Sequence, residues 1–495
     1  MLINAALMAL GAAVVGAVPP LEIQGTDFVN PETGNKFQIV GMAYQPGGSA
    51  GYDPATGKDP LSNKDKCMRD AALMQILGIN AIRVYNLDPN VNHDECASIF
   101  NAVSNFAGMY MMIDVNSPLP HESLHSLAPW ESYHADYLNR TFAIVEAFGN
   151  YPNTLLFFAA NEVINDEKTA EDAPQYIRAL TRDLKNYVKN NLKRKIPIGY
   201  SAADVREVLW DTWNYLQCSD PEDEGDMSRA DLFALNSYSW CGPEATYETS
   251  SYNDLVAGFE SSSVPIFFSE YGCIEPAPRY WNETQAIYGK QMSSVFSGGV
   301  VYEYTEEENN YGLVKIDDDK VRILGDFNRL KNQFARIKWE SVQSNPAGKN
   351  SSTKAPECKS SLIKDSNFDS NFTIPDVPPK AQGLIDNGIK NKPSGKVVKI
   401  SDWNVKLDVM NADGSAMKNL KVVPLKDDES NASGNNDADT GSETTDDKNS
   451  TDSDNKTSSS SGDAKDGDDD EDAAGLNRPL AWAMAFPLAV MMFAL

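Results

Sequence analysis

The sequence predicts an α/β fold: a (β/α)8 TIM barrel with a small mostly-β C-terminal appendix and a disordered stalk. Three observations carry the prediction. From residue 37 to about 337, short β-branched or aromatic runs alternate with longer amphipathic stretches. The short runs number eight, as a barrel requires. Past residue 424, large apolar residues become rare until the last 16 positions.

The strands are expected at 37–42, 81–85, 110–114, 155–161, 196–200, 232–238, 266–270 and 299–304. The helices are plainest at 64–77, 137–148 and 173–190, where apolar residues recur at three- and four-residue spacing. These elements define a catalytic domain over 18–338. Beyond it, 396–410 (KVVKISDWNVKLDVM) alternates like a strand pair, so 339–423 is expected to pack on the barrel as the appendix. Residues 424–472 are acidic and rich in Ser and Thr, which cannot bury enough surface to offset the entropy of ordering, and they read as a solvated stalk.

Both ends carry processing signals. Residues 1–17 are apolar and close on Val15-Gly16-Ala17, small residues suited to a signal-peptide cut, although the usual basic start is missing. Residues 473–495 read as a GPI-attachment signal, with attachment near Gly462 or in 472–474. Their apolar run, 480–495, falls short of the roughly 20 residues that a membrane span needs. A C-terminal membrane helix is the competing reading.

The formal charge is −28, but 427–472 holds 17 acidic and 3 basic side chains, half of that total. The moderately acidic remainder repels phosphate backbones and excludes nucleic acid as a partner. Six cysteines (Cys67, Cys96, Cys218, Cys241, Cys273 and Cys358) suit disulfides in a secreted chain, and six permit fifteen pairings among which spacing cannot choose. No CxxC or Cys/His cluster suggests zinc, so no metal and no cofactor are expected. Sequons at Asn139, Asn282, Asn350, Asn371, Asn431, Asn449 and Asn455 fit the secretory route.

Barrel enzymes place catalytic groups at the carboxyl ends of strands, which singles out acids that end an apolar run. Glu162 in LLFFAANEV and Glu270 in VPIFFSEYG have the same construction. They stand 108 residues apart, which over three βα units approaches the roughly 31 residues per unit of a 250-residue barrel. That spacing puts them on the fourth and seventh strands, across the mouth from each other. Retaining glycoside cleavage needs such a pair, one carboxylate as nucleophile and one carboxylic acid as acid/base. A lone glutamate is more often a solvated loop carboxylate; two at equivalent strand ends reverse that judgement. Glu303 in VVYEYTEEE also ends a strand. It ranks lower because alternation would point Tyr302 and Tyr304 to one side and Glu303 to the other.

The motifs GMAYQPGG, NAIRVYNLDP, AANEV, LNSYSWCG and FFSEYGC together resemble family 72 of the glycoside hydrolases, the GPI-anchored fungal 1,3-β-glucanosyltransferases, over about residues 21–337. The resemblance implies Glu162 as acid/base, with Asn161 bonding the sugar 2-hydroxyl, and Glu270 as nucleophile. It implies Tyr238 as a donor to Glu270 and Arg83 as its ionic support. Gln45, Tyr85, Asp114, Tyr302 and Tyr311 fall where family members line the glucan cleft, although each tyrosine alone could equally be core. Asp204 matches an acceptor-side position, but the arginine usual five residues later is Leu209 here, and Arg206 is the candidate substitute. The resemblance also implies the pairs Cys67–Cys96, Cys241–Cys273 and Cys218–Cys358. Only Cys358 follows Cys273, so the family's Cys-rich glucan-binding module is not expected.

The implied activity is retaining transfer of an internally cleaved β-1,3-glucan segment to the non-reducing end of another glucan. The protein would be a monomer, GPI-anchored at the cell surface, that remodels the wall. An endo-β-1,3-glucanase is the closest alternative, since water and a sugar hydroxyl compete for the same intermediate. A non-catalytic glucan-binding wall protein is a further one, weakened by the presence of both glutamates.

Overall fold

Eight short buried runs pair in parallel and close on themselves, and each is joined to the next by a connection that carries at least one helix. The computed structural model describes residues 18–48, 51–101, 108–223, 225–343 and 353–423. A hairpin of β1 (Glu22–Gln24) and β2 (Asp27–Val29) precedes the barrel. The barrel strands are β3 (Ile39–Ala43), β4 (Ala81–Val84), β5 (Tyr110–Asp114), β6 (Thr154–Asn161), β7 (Ile198–Ala203), β8 (Leu232–Ser237), β9 (Ile266–Tyr271) and β10 (Phe296–Val301). Strand β10 pairs with β3 and closes the ring. The (β/α)8 barrel expected from the sequence is therefore formed, and each expected run overlaps a barrel strand.

Between the strands lie α1 (Lys64–Leu77), α2 (Asp94–Asn101), α3 (Pro129–Ser132), α4 (Ala135–Gly149), α5 (Ala173–Asn191), α6 (Arg206–Gln217), α7 (Tyr252–Phe259) and α8 (Glu283–Ile287). Local signals set their ends. The Asn63 side chain accepts from the Lys66 amide to start α1, and Gly78 ends it at φ 77°, a left-handed conformation that costs glycine little. After β10, an antiparallel pair β11 (Val314–Asp317) and β12 (Lys320–Ile323) leads into α9 (Gly325–Phe334) and α10 (Trp339–Gln343).

Alternation sorts the strand residues into two cores. Ala81, Met112, Phe158, Ala234, Phe267 and Val300 fill the barrel. The rings of Phe158 and Phe267 lie 6.2 Å apart although their strands are not neighbours, so both point inward. Ile82, Ile113, Phe157, Phe233, Phe268 and Val301 belong to the larger outer core, with the helices. Phe28 of the hairpin closes one end of the interior, 5.9 Å from Phe267. Two strands break the alternation just before they end. Strand β6 slips by a residue against β7 between Phe158 and Ala160, and β9 slips against β8 between Phe268 and Glu270. Such bulges re-aim the side chains that follow.

The strand pair expected in 396–410 does not form. Only β13 (Val409–Met410) is regular there, and it adds in parallel to β12. Isolated antiparallel bridges join Asn404 to Lys421 and Met410 to Ala416, and α11 (Ala381–Asn387) is the one α-helix among the described residues of 353–423. The reason is that much of this segment's backbone bonds to the barrel helices. The amides of Lys364 and Asp365 donate to Asp211 on α6, and the side-chain amides of Asn190 and Asn191 on α5 donate to the Ile385 carbonyl. The amide of Lys396 reaches Asp94 and that of Val398 reaches Ser98, both on α2 and both at 2.8 Å. Val423 then exchanges two hydrogen bonds with Gln75 on α1. The segment is thus a strap laid over α6, α5, α2 and α1, in reverse chain order.

Three disulfides are present: Cys67–Cys96, Cys218–Cys358 and Cys241–Cys273, with Cα separations of 5.5, 5.1 and 5.2 Å. They are the pairs the resemblance implies. The second ties the end of α6 to the strap, and the third joins the loops after β8 and β9. The leader expected at 1–17, the stalk at 424–472 and the attachment signal at 473–495 lie outside the described residues. Among the described residues no helix is long and apolar enough to cross a membrane.

Candidate active site

The two bulged strands deliver the two acids. Glu162 directly follows β6, with φ at +49° and its amide donating to the Ser201 carbonyl at 2.8 Å. A left-handed glutamate costs on the order of 1–3 kcal/mol, a strain that clusters where a side chain must be aimed. On β9 the slip sets Glu270 opposite Asn236 in register, while Ser269 also reaches inward to Asn236 at 2.8 Å.

Glu270 is buried and held by three donors. Tyr238 donates to Oε2 at 2.6 Å, and Tyr85 and Arg83 donate to Oε1 at 3.0 and 3.2 Å. Burial pushes its carboxyl up from 4.5 to about 7; the Glu162 charge adds to the rise, while Arg83, Tyr238 and Tyr85 oppose it. Arg83 itself is fully buried on β4. Its guanidinium pairs with both oxygens of Asp114, at 2.9 and 3.1 Å, and lies 4.6 Å from the Phe158 ring centroid. Asp114 therefore commits both carboxylate oxygens to Arg83.

Asn161 accepts three donors on Oδ1: Arg83 at 2.8 Å, Ser201 at 2.7 Å and Asn236 at 3.1 Å. That arrangement turns its amide nitrogen away from them. Glu162 receives a hydrogen bond from Asn236 at 2.9 Å. Asn236 thus touches Glu162, Asn161 and Arg83 at once. No motif reading assigned it a role. The available signal was its place in LFALNS: alternation puts it on the inward face with Leu232 and Ala234, a polar residue in an apolar strand. The double duty of Tyr85, lining the mouth and donating to Glu270, was also missed.

Above Glu270 three tyrosines form a wall. The rings of Tyr238 and Tyr302 are 6.0 Å apart, Tyr238 and Tyr311 5.7 Å, and Tyr302 and Tyr311 5.5 Å, all edge to face. Gln45 follows β3 at the same rim, and its buried amide nitrogen has no protein partner among the described residues. Asp204, past the end of β7, accepts from Ser237 at 2.7 Å and forms an ion pair with Arg206 on the first turn of α6. Leu209 is buried in the core.

Alternation is not what sets Glu303 aside. Strand β10 stops at Val301, so alternation does not extend to 304. Tyr302 joins the wall, whereas Tyr304 turns into the outer core and donates to Asp70 at 2.6 Å. Glu303 is sealed at 1% exposure, accepts from Asn309 at 3.0 Å, and has its carboxyl pushed up by burial to about 8. Its bond to Asn309, where Glu270 is held by Arg83, Tyr85 and Tyr238 and Glu162 by Asn236, sets it apart from the pair. Among the described residues no group of three or more His, Cys, Asp or Glu is arranged to hold a metal ion.

Comparison with known proteins gives a consistent result. A family model described as "Glucanosyltransferase" matches residues 11–338. The chain is 49% identical over 424 residues to 1,3-beta-glucanosyltransferase gel2 of Aspergillus fumigatus, covering 86% of each. It is 40% identical over 408 residues to the probable 1,3-beta-glucanosyltransferase GAS3 of Saccharomyces cerevisiae, covering 79% of this chain and 77% of that one. Among solved structures, Saccharomyces cerevisiae Gas2p in complex with laminaritriose and laminaritetraose superposes with a TM-score of 0.62 at 34% identity, over 74% of this chain and 78% of that one.

Proposed function

We infer, from the premise that this chain belongs to the glucanosyltransferase family, that it is a retaining 1,3-β-glucanosyltransferase with Glu270 as nucleophile and Glu162 as acid/base. The observation that carries the assignment of roles is the unequal support of the two carboxylates. Glu270 accepts from Arg83, Tyr85 and Tyr238, which oppose the rise that burial imposes on its carboxyl and fix both its oxygens, while Glu162 is tied to one side-chain donor, Asn236.

In the first step a Glu270 oxygen attacks C1 of the donor sugar, the bond from C1 to the leaving O3 breaks, and Glu162 gives its proton to that oxygen. In the second, the O3 hydroxyl of an acceptor's non-reducing end attacks C1, Glu162 takes its proton back, and Glu270 leaves. Asn161, whose carbonyl is anchored by three donors, presents its amide nitrogen to the sugar 2-hydroxyl. Gln45, with a buried and unpartnered nitrogen, is a donor for another hydroxyl. Tyr302, Tyr311 and Tyr238 offer apolar faces to pyranose rings. Asp204 with Arg206 forms the acceptor-side pair, Arg206 reaching from two residues away to the place usually served from the position of Leu209.

No cofactor takes part in this scheme. The three disulfides support an oxidising compartment, and we assign the protein as a monomer to the cell surface, anchored through GPI. Incubating the purified protein with a reduced laminari-oligosaccharide and sizing the products tests the reading. Products longer than the substrate are expected. Shortened products alone would favour the endo-glucanase, and an unchanged substrate would leave only glucan binding.

A further inference from the structure

We propose that Arg279, in the loop between β9 and α8, is a positioning residue that sets the tyrosine wall above Glu270. Its side chain is buried, and its two terminal nitrogens donate to two backbone carbonyls, Tyr302 at 2.6 Å and Tyr311 at 2.5 Å. Those carbonyls belong to separate stretches, one leaving β10 and one preceding β11. A single rigid fork therefore fixes the backbone from which both rings project. Lysine, with one rotatable ammonium, does not offer two donors in fixed planar geometry.

The fork is itself held from behind. Its Nε forms an ion pair with Asp326 on α9, and its guanidinium lies 4.2 Å from the centroid of the buried Trp281 ring. Asp326 also pairs with Arg329, whose Nε donates to the Arg279 carbonyl at 3.0 Å. Contacts therefore run from Asp326 through Arg279 to Tyr302 and Tyr311, on to Tyr238, and from the Tyr238 hydroxyl to the Glu270 carboxylate. A buried arginine adds little net stability over a well-packed apolar side chain. What it supplies here is the geometry of two rings that touch sugar.

The proposal rests on the reading of Tyr302 and Tyr311 as glucan contacts, and the test separates the two ideas. Arg279→Lys is to be purified as the full chain and assayed on a laminari-oligosaccharide beside Tyr302→Ala, Tyr311→Ala and Arg178→Lys. Arg178 is an equally buried arginine, paired with Asp226 and bonded to Cys218, away from the wall. Misplacing contact groups by an ångström can cost about 100-fold, so Arg279→Lys should raise KM by about tenfold or more. It should also move the acidic limb of the kcat/KM profile to higher pH, because Tyr238 holds Glu270 less firmly. Arg178→Lys should lower the melting temperature and leave both readouts in place. A folded Arg279→Lys with wild-type KM and pH profile overturns the proposal. Unchanged KM in both tyrosine variants would instead overturn the cleft reading. Should Arg279→Lys not fold, Asp326→Asn keeps the fork and loosens its anchor. Its KM should rise in the same direction, and a wild-type value there overturns the proposal equally.

Discussion

Replacing Glu270 by Gln should abolish transfer and stabilise the protein, and the stabilisation should depend on pH. Burial raises the Glu270 carboxyl from 4.5 to about 7, so the folded state binds this proton more tightly than the unfolded state does. As pH rises through that interval, ionisation costs the folded state stability. At about 1.4 kcal/mol per pH unit the full loss is about 3 kcal/mol, complete above pH 7 and absent below 4.5. Glutamine keeps the shape and has nothing to ionise. For roughly 400 folded residues, with an unfolding entropy of about 2.1 cal/mol/K each, 3 kcal/mol corresponds to about 4 °C in melting temperature. Melting curves of wild type and Glu270→Gln at pH 4, 6 and 8 provide the assay. The gap should open from near zero to about 4 °C across the series. Glu283 and Glu303 are also raised by burial, to about 7 and about 8, so both proteins should melt lower as pH rises; the difference between them reports Glu270 together with the smaller part of the Glu303 rise that the Glu270 charge causes. A gap that stays constant with pH, or a variant that melts lower at pH 8, would refute the reasoning.

Glu162→Gln should lose at least about 100-fold in activity on native glucan, the usual worth of general acid assistance. It should still form the glycosyl-enzyme from a donor whose leaving group needs no proton, and that step should titrate at lower pH because one cause of the raised Glu270 value is gone; mass spectrometry of the trapped adduct reads this out. Tyr238→Phe removes the 2.6 Å donor to Glu270, so its kcat/KM profile should fall and its acidic limb move to higher pH, whereas an unmoved limb would contradict that hydrogen bond. Replacing Cys218 and Cys358 with Ser opens a bridge spanning 140 residues and should cost about 2–5 kcal/mol, visible in denaturant unfolding, with KM at low temperature unchanged. Activity should survive EDTA; loss on chelation restored by added zinc or calcium would contradict the two-carboxylate scheme.

The barrel was legible because its signal is repeated. Eight apolar runs separated by amphipathic ones constrain one another, and α1 begins and ends where Asn63 and Gly78 say it should. The acids were legible because they end such runs. What the sequence hid was phase. A bulge adds one residue without changing composition, so nothing in LLFFAAN or IFFSEY announces the slips that set Asn161 and Glu270 in the mouth. The same blindness supplied the wrong reason for ranking Glu303 lower, because its strand ends at Val301, three residues short of the expected 304. Alternation in 396–410 misled for a different reason. A chain lying on helices hides every other side chain much as a strand does, and only the partners of its amides distinguish the two.

That strap alters where this protein can be cut. The family model stops at residue 338, an inviting end for a recombinant fragment. Ending there would leave Cys218 without its bridge and strip the Asp211, Asp94, Ser98 and Gln75 side chains of the amides they hold. It would also uncover the surface of α4 and α5 on which α11 packs. The shortest fragment that keeps these contacts runs to residue 423.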